Sequence, residues 1–118
     1  MPLADIAKKP VADSWALIQK FPADNAAAGL PAPEKVVNNL ISSVTVESGA
    51  IHIVFGNRAN SAIKGKMLSF RPAVVKDAPI VPVAWICGYA GGPAQMSIEG
   101  GNKTNIAARY LPFKCRSG

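Results

Sequence analysis

Two residues constrain this chain most: Cys87 and Cys115, its only cysteines. They stand 115 − 87 = 28 positions apart, and the second lies three residues from the end. The run Val83-Ala84-Trp85-Ile86-Cys87-Gly88 reads as a strand that ends on the first cysteine. The run Arg109-Tyr110-Leu111-Pro112-Phe113-Lys114-Cys115-Arg116 carries the second, and the segment between is rich in Gly, Asn and Thr. A strand-end cysteine and a tail cysteine around such a segment read as a stapled loop. Closing a loop of that size removes roughly 3–4 kcal/mol of unfolded-chain entropy. A bridge would also place the protein in an oxidising compartment outside the cytosol. The alternatives are a metal site, a redox pair and free thiols. One histidine, His52, is too few added ligands for the first, and the second would show close Cys-x-x-Cys spacing.

At 118 residues the chain has the length of one domain, 1–118, with room for a real core. It is 49% hydrophobic but only 7% aromatic, so Ala, Val and Ile supply the apolar mass. Thirteen Lys and Arg against seven acids give a net charge of +6, which favours anionic partners. The cations are spread along the chain and form no dense run. Met1-Pro2-Leu3-Ala4-Asp5 is not a signal peptide, which would show a basic start and an apolar stretch. No run approaches the ~20 apolar residues that span a bilayer.

Leu3, Ile6, Ala7, Val11, Ser14, Trp15 and Ile18 recur at three- and four-residue spacing, which predicts a helix over 3–20 with one apolar stripe. Pro10 predicts a kink or a fresh helical start. Residues 21–43 read as a connection, with a single helical turn at 33–38. Val44-Thr45-Val46-Glu47, Ser48-Gly49 and Ala50-Ile51-His52-Ile53-Val54-Phe55 read as a hairpin on a two-residue turn. That register sets Val46 against Ile51 and Val44 against Ile53. Those four and Phe55 share one face, toward the helix, and Thr45 and His52 share the other. Lys66 to Arg71 predicts a third strand ended by Pro72, and Val81 to Cys87 a fourth, with Pro82 near its start. Turns are expected at 91–93 and 100–102. The fold class is α+β: an N-terminal helix packed on a four-stranded antiparallel sheet over 44–87, then the cysteine-bounded region 87–115.

These runs, in this order, resemble the globular head of a bacterial type IV pilin. Val44-x-Val46 and Gly49-Ala50-Ile51-x-Ile53-x-Phe55-Gly56 are similar to that family's first two strands. Asn60, then Ile63-Lys64-Gly65-Lys66-Met67-Leu68, resembles its step into the third strand. Ile80 and Val83 to Gly88 resemble its fourth strand and first cysteine, and Tyr110-Leu111-Pro112-x-x-Cys115-Arg116 its tail. The resemblance covers roughly residues 10–116. It implies a subunit of an extracellular filament, with residues 87–115 exposed and loops 21–42 and 88–114 making subunit contacts. Adhesion, twitching motility and DNA uptake are the roles it carries. It also implies a long apolar helix that anchors the subunit in the inner membrane before assembly. Residues 3–20 then read as the head-packing end of that helix, its anchoring half missing, so the isolated head is expected to be monomeric.

The chemistry-bearing residues add no catalytic reading. His52 reads as a polar residue beside Thr45 on a solvated or subunit-facing surface. No Ser-His-acid arrangement is visible, the acids are scattered, and no Gly-Lys-Ser/Thr phosphate loop occurs. No metal or cofactor is expected. Trp15 and Trp85 read as core, while Tyr89 and Tyr110 either pack on the stapled loop or present themselves for recognition. Arg58, Lys64, Lys66, Lys103, Arg109, Lys114 and Arg116 are candidate DNA or anion contacts if the folded tail brings them into one stripe. A DNA-binding pilin is thus one alternative. A secretion pseudopilin is another, disfavoured because such proteins usually lack this disulfide and often hold calcium, whereas only Glu99 follows Asp77 among the acids here.

Overall fold

The computed structural model describes residues 2–37, 40–59, 61, 63–75, 78, 81–91, 96–111 and 115. A helix, α1 (Pro2–Ile18), leads into a connection holding one 3-10 turn at Pro33–Lys35. Then come β1 (Ile41–Glu47), β2 (Ala50–Phe55), β3 (Met67–Val74), β4 (Ala84–Cys87) and the two-residue β5 (Ser97–Ile98). The first four strands form an antiparallel meander in chain order, and β5 pairs with β3. A second 3-10 turn covers Ala108–Tyr110.

The hairpin register is the one the side-chain pattern dictates. Val46 faces Ile51, Val44 faces Ile53 and Thr45 faces His52. Ser48 and Gly49 both have positive φ, 50° and 91°, the two-residue turn whose twist matches the strands it joins. Glycine is required at position 49 for a second reason, since a Cβ there would lie 2.6 Å from Phe21 Cγ. Phe21 in turn stacks on Trp15, ring centroids 5.1 Å apart. The turn is thereby wedged against the end of α1, and Ser48 and Gly49 donate to the carbonyls of Ala23 and Pro22.

α1 packs on β1 and β2 through Ala7, Val11 and Trp15, which are buried at i, i+4 spacing. Val44, Val46, Ile51, Ile53, Phe55, Leu68 and Phe70 share that core, to which the C-terminal region adds Ile106, Leu111 and Cys115. The expected stripe is narrower in fact: Ile6 is 51% exposed and Ile18 63%. Successive helix positions are turned by about 100°, so Ile6 falls on a flank that the 7–11–15 line leaves uncovered, whereas Ile18 falls on that line but is the last residue of α1. Leu17 is more exposed still, at 82%. Nor does Pro10 restart the helix; α1 runs through it as one element.

Three strand limits differ from the sequence expectation. β1 starts at Ile41, because Ile41 is buried and pairs with Phe55 across an irregularity at 41–43. β4 is limited to Ala84–Cys87. Pro72 lies inside β3 and does not end it. Its carbonyl accepts from Glu99 N–H on the side of β3 beyond the end of β2. A strand residue's nitrogen and carbonyl point to the same side, so the missing donor of Pro72 faces that side too. No bond to β4 is lost.

Candidate functional site

The cysteine-bounded region dominates what the head presents. Cys87 and Cys115 form a disulfide, with Cα atoms 4.7 Å apart. Both are buried, Cys87 at the end of β4 and Cys115 beneath the turn that follows it. Tyr89 N–H donates to the Cys115 carbonyl at 2.9 Å. Gly88 has φ 58° between them, and a Cβ there would sit 2.8 Å from the same carbonyl oxygen. Tyr89 folds back over the loop, its hydroxyl donating to the Ile106 carbonyl at 2.8 Å, while the residue stays 41% exposed. Tyr110 is 47% exposed, with the Arg109 guanidinium 5.0 Å from its ring centroid.

From Asn102 to Ile106 the chain runs as a strap along β3 where β4 has stopped. Met67 N–H donates to Asn105 Oδ1 at 2.7 Å, and Asn105 N–H donates back to the Met67 carbonyl at 3.0 Å. Ser69 N–H donates to Thr104 Oγ1 at 2.9 Å, and Lys103 N–H to Ser69 Oγ at 2.9 Å. Asn102 anchors the near end, its Nδ2 donating to the Gly88 carbonyl at 2.9 Å. The side chains of Asn and Thr thus do here what a further strand's backbone would do. That is why an Asn- and Thr-rich segment with little strand propensity still seals a sheet edge.

The strap changes the setting of His52. The ring is 2% exposed, where the sequence reading has it on an open sheet face. The error has one cause: the covering segment lies fifty residues away in the chain and carries no apolar pattern. The structure also brings together a Ser-His-acid set that the sequence spacing conceals. His52 Nε2 lies 3.2 Å from Glu47 Oε1, and His52 Nδ1 lies 2.6 Å from Ser69 Oγ. The carboxylate can only accept, so Nε2 carries the hydrogen. In the neutral ring Nδ1 then accepts from the Ser69 hydroxyl, whose oxygen accepts from Lys103 N–H. Lys103 Nζ closes the set on Glu47, 2.9 Å from Oε1. Burial pushes the His52 pKa below its ordinary value, opposed by the bond to Glu47. The bond from Lys103 pulls the Glu47 carboxyl below its ordinary value. Ser69 is 0% exposed under the strap, so its hydroxyl is a structural donor with no path for a substrate.

The candidate cations fall in separate places. Arg58, Lys64 and Lys66 are exposed together on the connection between β2 and β3, and Lys66 holds that connection to Phe55 by a backbone bond of 2.9 Å. Lys103 is turned toward Glu47, at the hairpin-turn end of β1. Arg109 lies on Tyr110. Lys114 and Arg116 lie outside the described residues, as do Asn60 and Ile80 and part of the turn expected at 91–93. Lys8, which sequence reasoning left among scattered charges, stands 4.6 Å over the Phe70 ring and 6.0 Å from Trp85. With Ile86 and Cys87 they line a recess of about 230 Å³ beside the disulfide. Trp85 is therefore half-buried at the recess and not in the core interior, whereas Trp15 is buried as read.

Asn25 is the structural residue that sequence reasoning missed. It is 4% exposed in a stretch read only as a turn signal. Its Nδ2 donates to the carbonyls of Pro31 and Val44, at 3.0 and 2.9 Å, and its Oδ1 accepts from Val46 N–H at 2.6 Å. One side chain thereby closes the connection and covers the free edge of β1.

Among the described residues no helix is long and apolar enough to cross a membrane. A comparison with curated proteins gives no match. The family model for pilin, the bacterial filament protein, matches residues 1–116. A helix on a four-stranded antiparallel sheet, closed by a C-terminal disulfide, is the head that match calls for, and the chain belongs to the pilin family, the structural subunits of bacterial pili.

Proposed function

We propose that this chain is the head of a type IV pilus subunit that assembles through the uncovered flanks of α1 and displays its stapled region outward. In this reading the filament serves adhesion, twitching motility or DNA uptake. An apolar helix ahead of Leu3 holds the subunit in the inner membrane until assembly. The observation that carries it is the division of α1. Ala7, Val11 and Trp15 are committed to the head, while Ile6, Leu17 and Ile18 remain exposed. Apolar side chains left uncovered on one helix suit a heterologous contact repeated along a filament. The test is Leu17→Asp in the full-length gene, in a pilus-competent host lacking its own subunit. Surface filaments counted by electron microscopy should fall steeply while the soluble head melts unchanged. Normal piliation would remove α1 from the assembly face.

DNA contact is a second reading, favoured by Arg58, Lys64 and Lys66 standing exposed on one connection. Labelled duplex titrated at two salt concentrations decides it. Phosphate contacts require weak affinity that falls steeply with salt. Undetectable binding at low salt removes this reading, and equal affinity at both salts contradicts its mechanism.

A further inference from the structure

We propose that Glu47, His52, Ser69 and Lys103 form an acid-released latch that holds the strap, residues 102–106, over the outer face of the sheet. The set joins three strands to the strap at one point. Glu47 comes from β1, His52 from β2 and Ser69 from β3. Ser69's backbone groups point away from β2, its N–H to Thr104 and its carbonyl to Gly88 N–H. His52 and Ser69 are therefore a non-hydrogen-bonded cross-strand pair, the closer of the two kinds, which sets their side chains in contact. Lys103 is bound to both halves of the set: its N–H to Ser69 Oγ and its ammonium to Glu47.

Every bond in the latch is satisfied with a neutral imidazole. Protonation puts a hydrogen on Nδ1, which must then donate to Ser69 Oγ, and the Ser69 hydroxyl loses its acceptor. A second cation also appears beside the Lys103 ammonium, on a ring that is 2% exposed while Glu47 and Lys103 stay half in solvent. Among the described residues, the charged groups on His52 are Glu47 from β1 and Lys103 from the strap; α1 lies on the opposite face of the sheet. Glu47 alone must then serve two cations. Lifting the strap returns His52 to solvent, where its pKa recovers to about 6.5. Protons therefore favour the open state. Opening should grow as pH falls below that value, and it should free Met67 N–H, Met67 C=O and Ser69 N–H along the edge of β3.

The experiment is amide hydrogen exchange on the disulfide-intact chain at pH 7 and pH 5, corrected for intrinsic rates. The amides of Met67, Ser69, Lys103 and Asn105 should exchange well ahead of the β1–β2 ladder at both values, and their opening should increase severalfold at pH 5. Strap amides as protected as the ladder would overturn the proposal, because the strap would then open only with global unfolding. So would opening that ignores pH. His52→Gln should abolish the pH response, and a retained response would assign it to another group and overturn the latch. Lys103→Met should loosen the strap at both pH values and keep the response; unchanged protection in that variant also counts against the latch. If His52→Gln does not fold, the wild-type exchange still decides.

Discussion

Asn25 shows how much one side chain carries when the backbone leaves it three partners. Replacing it with Ala strands the Val44 carbonyl and the Val46 N–H beside a void and frees the connection at Pro31. Each buried group left unpaired costs about 1–3 kcal/mol, so Asn25→Ala should destabilise the head by about 2–4 kcal/mol in denaturant unfolding. A loss under about 1 kcal/mol would mean that water takes over the bonds. Asn25→Asp should be no milder, since a carboxylate would face two carbonyl oxygens. His52 governs the pH dependence at the same scale. Its pKa is lowered in the folded state, so the unfolded chain binds the extra proton. Stability should therefore be full above the unfolded value of about 6.5 and decline as pH falls below it, levelling off once the folded value is passed. Denaturation midpoints at pH 7.5 and 5.5 should separate for the wild type and come closer together in His52→Gln. Neither residue was legible in its role. Asn25 reads as turn chemistry because asparagine favours turns, and its partners lie about twenty residues on. His52 reads as exposed because strand alternation tells which face a residue is on and not what covers that face.

The elements that announced themselves are those whose signal is local. The β1–β2 hairpin was legible to the register, since alternation and the Ser48-Gly49 turn specify each other. α1 was legible as a helix but not in its contact line. Ile6 and Ile18 satisfy the same periodicity as Ala7 and Trp15, and apolar spacing cannot distinguish packing within the head from surface kept for another subunit. β5 and the strap were illegible because their pairing is made largely by side chains and two residues of strand. The stapled region as a unit was legible from Cys87 and Cys115 alone. The strap and Tyr89 hold that region through polar contacts, and the disulfide fixes its far end to β4. Reducing the bridge, or Cys115→Ser, should therefore lower stability by roughly 3–4 kcal/mol, the chain-entropy value for a 28-residue separation. The sheet amides of β1 and β2 should regain native protection on refolding, because α1, the hairpin and β3 supply most of the core, to which the tail adds Ile106, Leu111 and Cys115. A melting temperature that ignores reduction would show that the strap alone ties the region down.

For the whole molecule the decisive quantity is how much apolar surface the head leaves uncovered. Ile6, Leu17 and Ile18 lie along α1, with Val37 and Leu40 exposed at the other end of the connection. A stable protein–protein interface buries roughly 1,200–2,000 Å² in total, about half on each partner. Three aliphatic side chains on one helix supply at most a few hundred Å² per subunit, well short of that and within the patch size ordinary monomers tolerate. A net charge of +6 adds repulsion between like heads. The 118-residue chain should consequently sediment as a monomer at concentrations of about 100 μM, at low and moderate salt alike. Filament assembly would then depend on contacts these exposed positions extend but do not complete by themselves. The same run on Leu17→Asp should be indistinguishable from the wild type, although that substitution abolishes piliation if α1 is the assembly face. A concentration-dependent dimer that Leu17→Asp dissolves would locate a sufficient interface on α1 itself. A stable large oligomer in both chains would place self-association elsewhere on the head, and the division of α1 into a packed and an assembling side would lose its meaning.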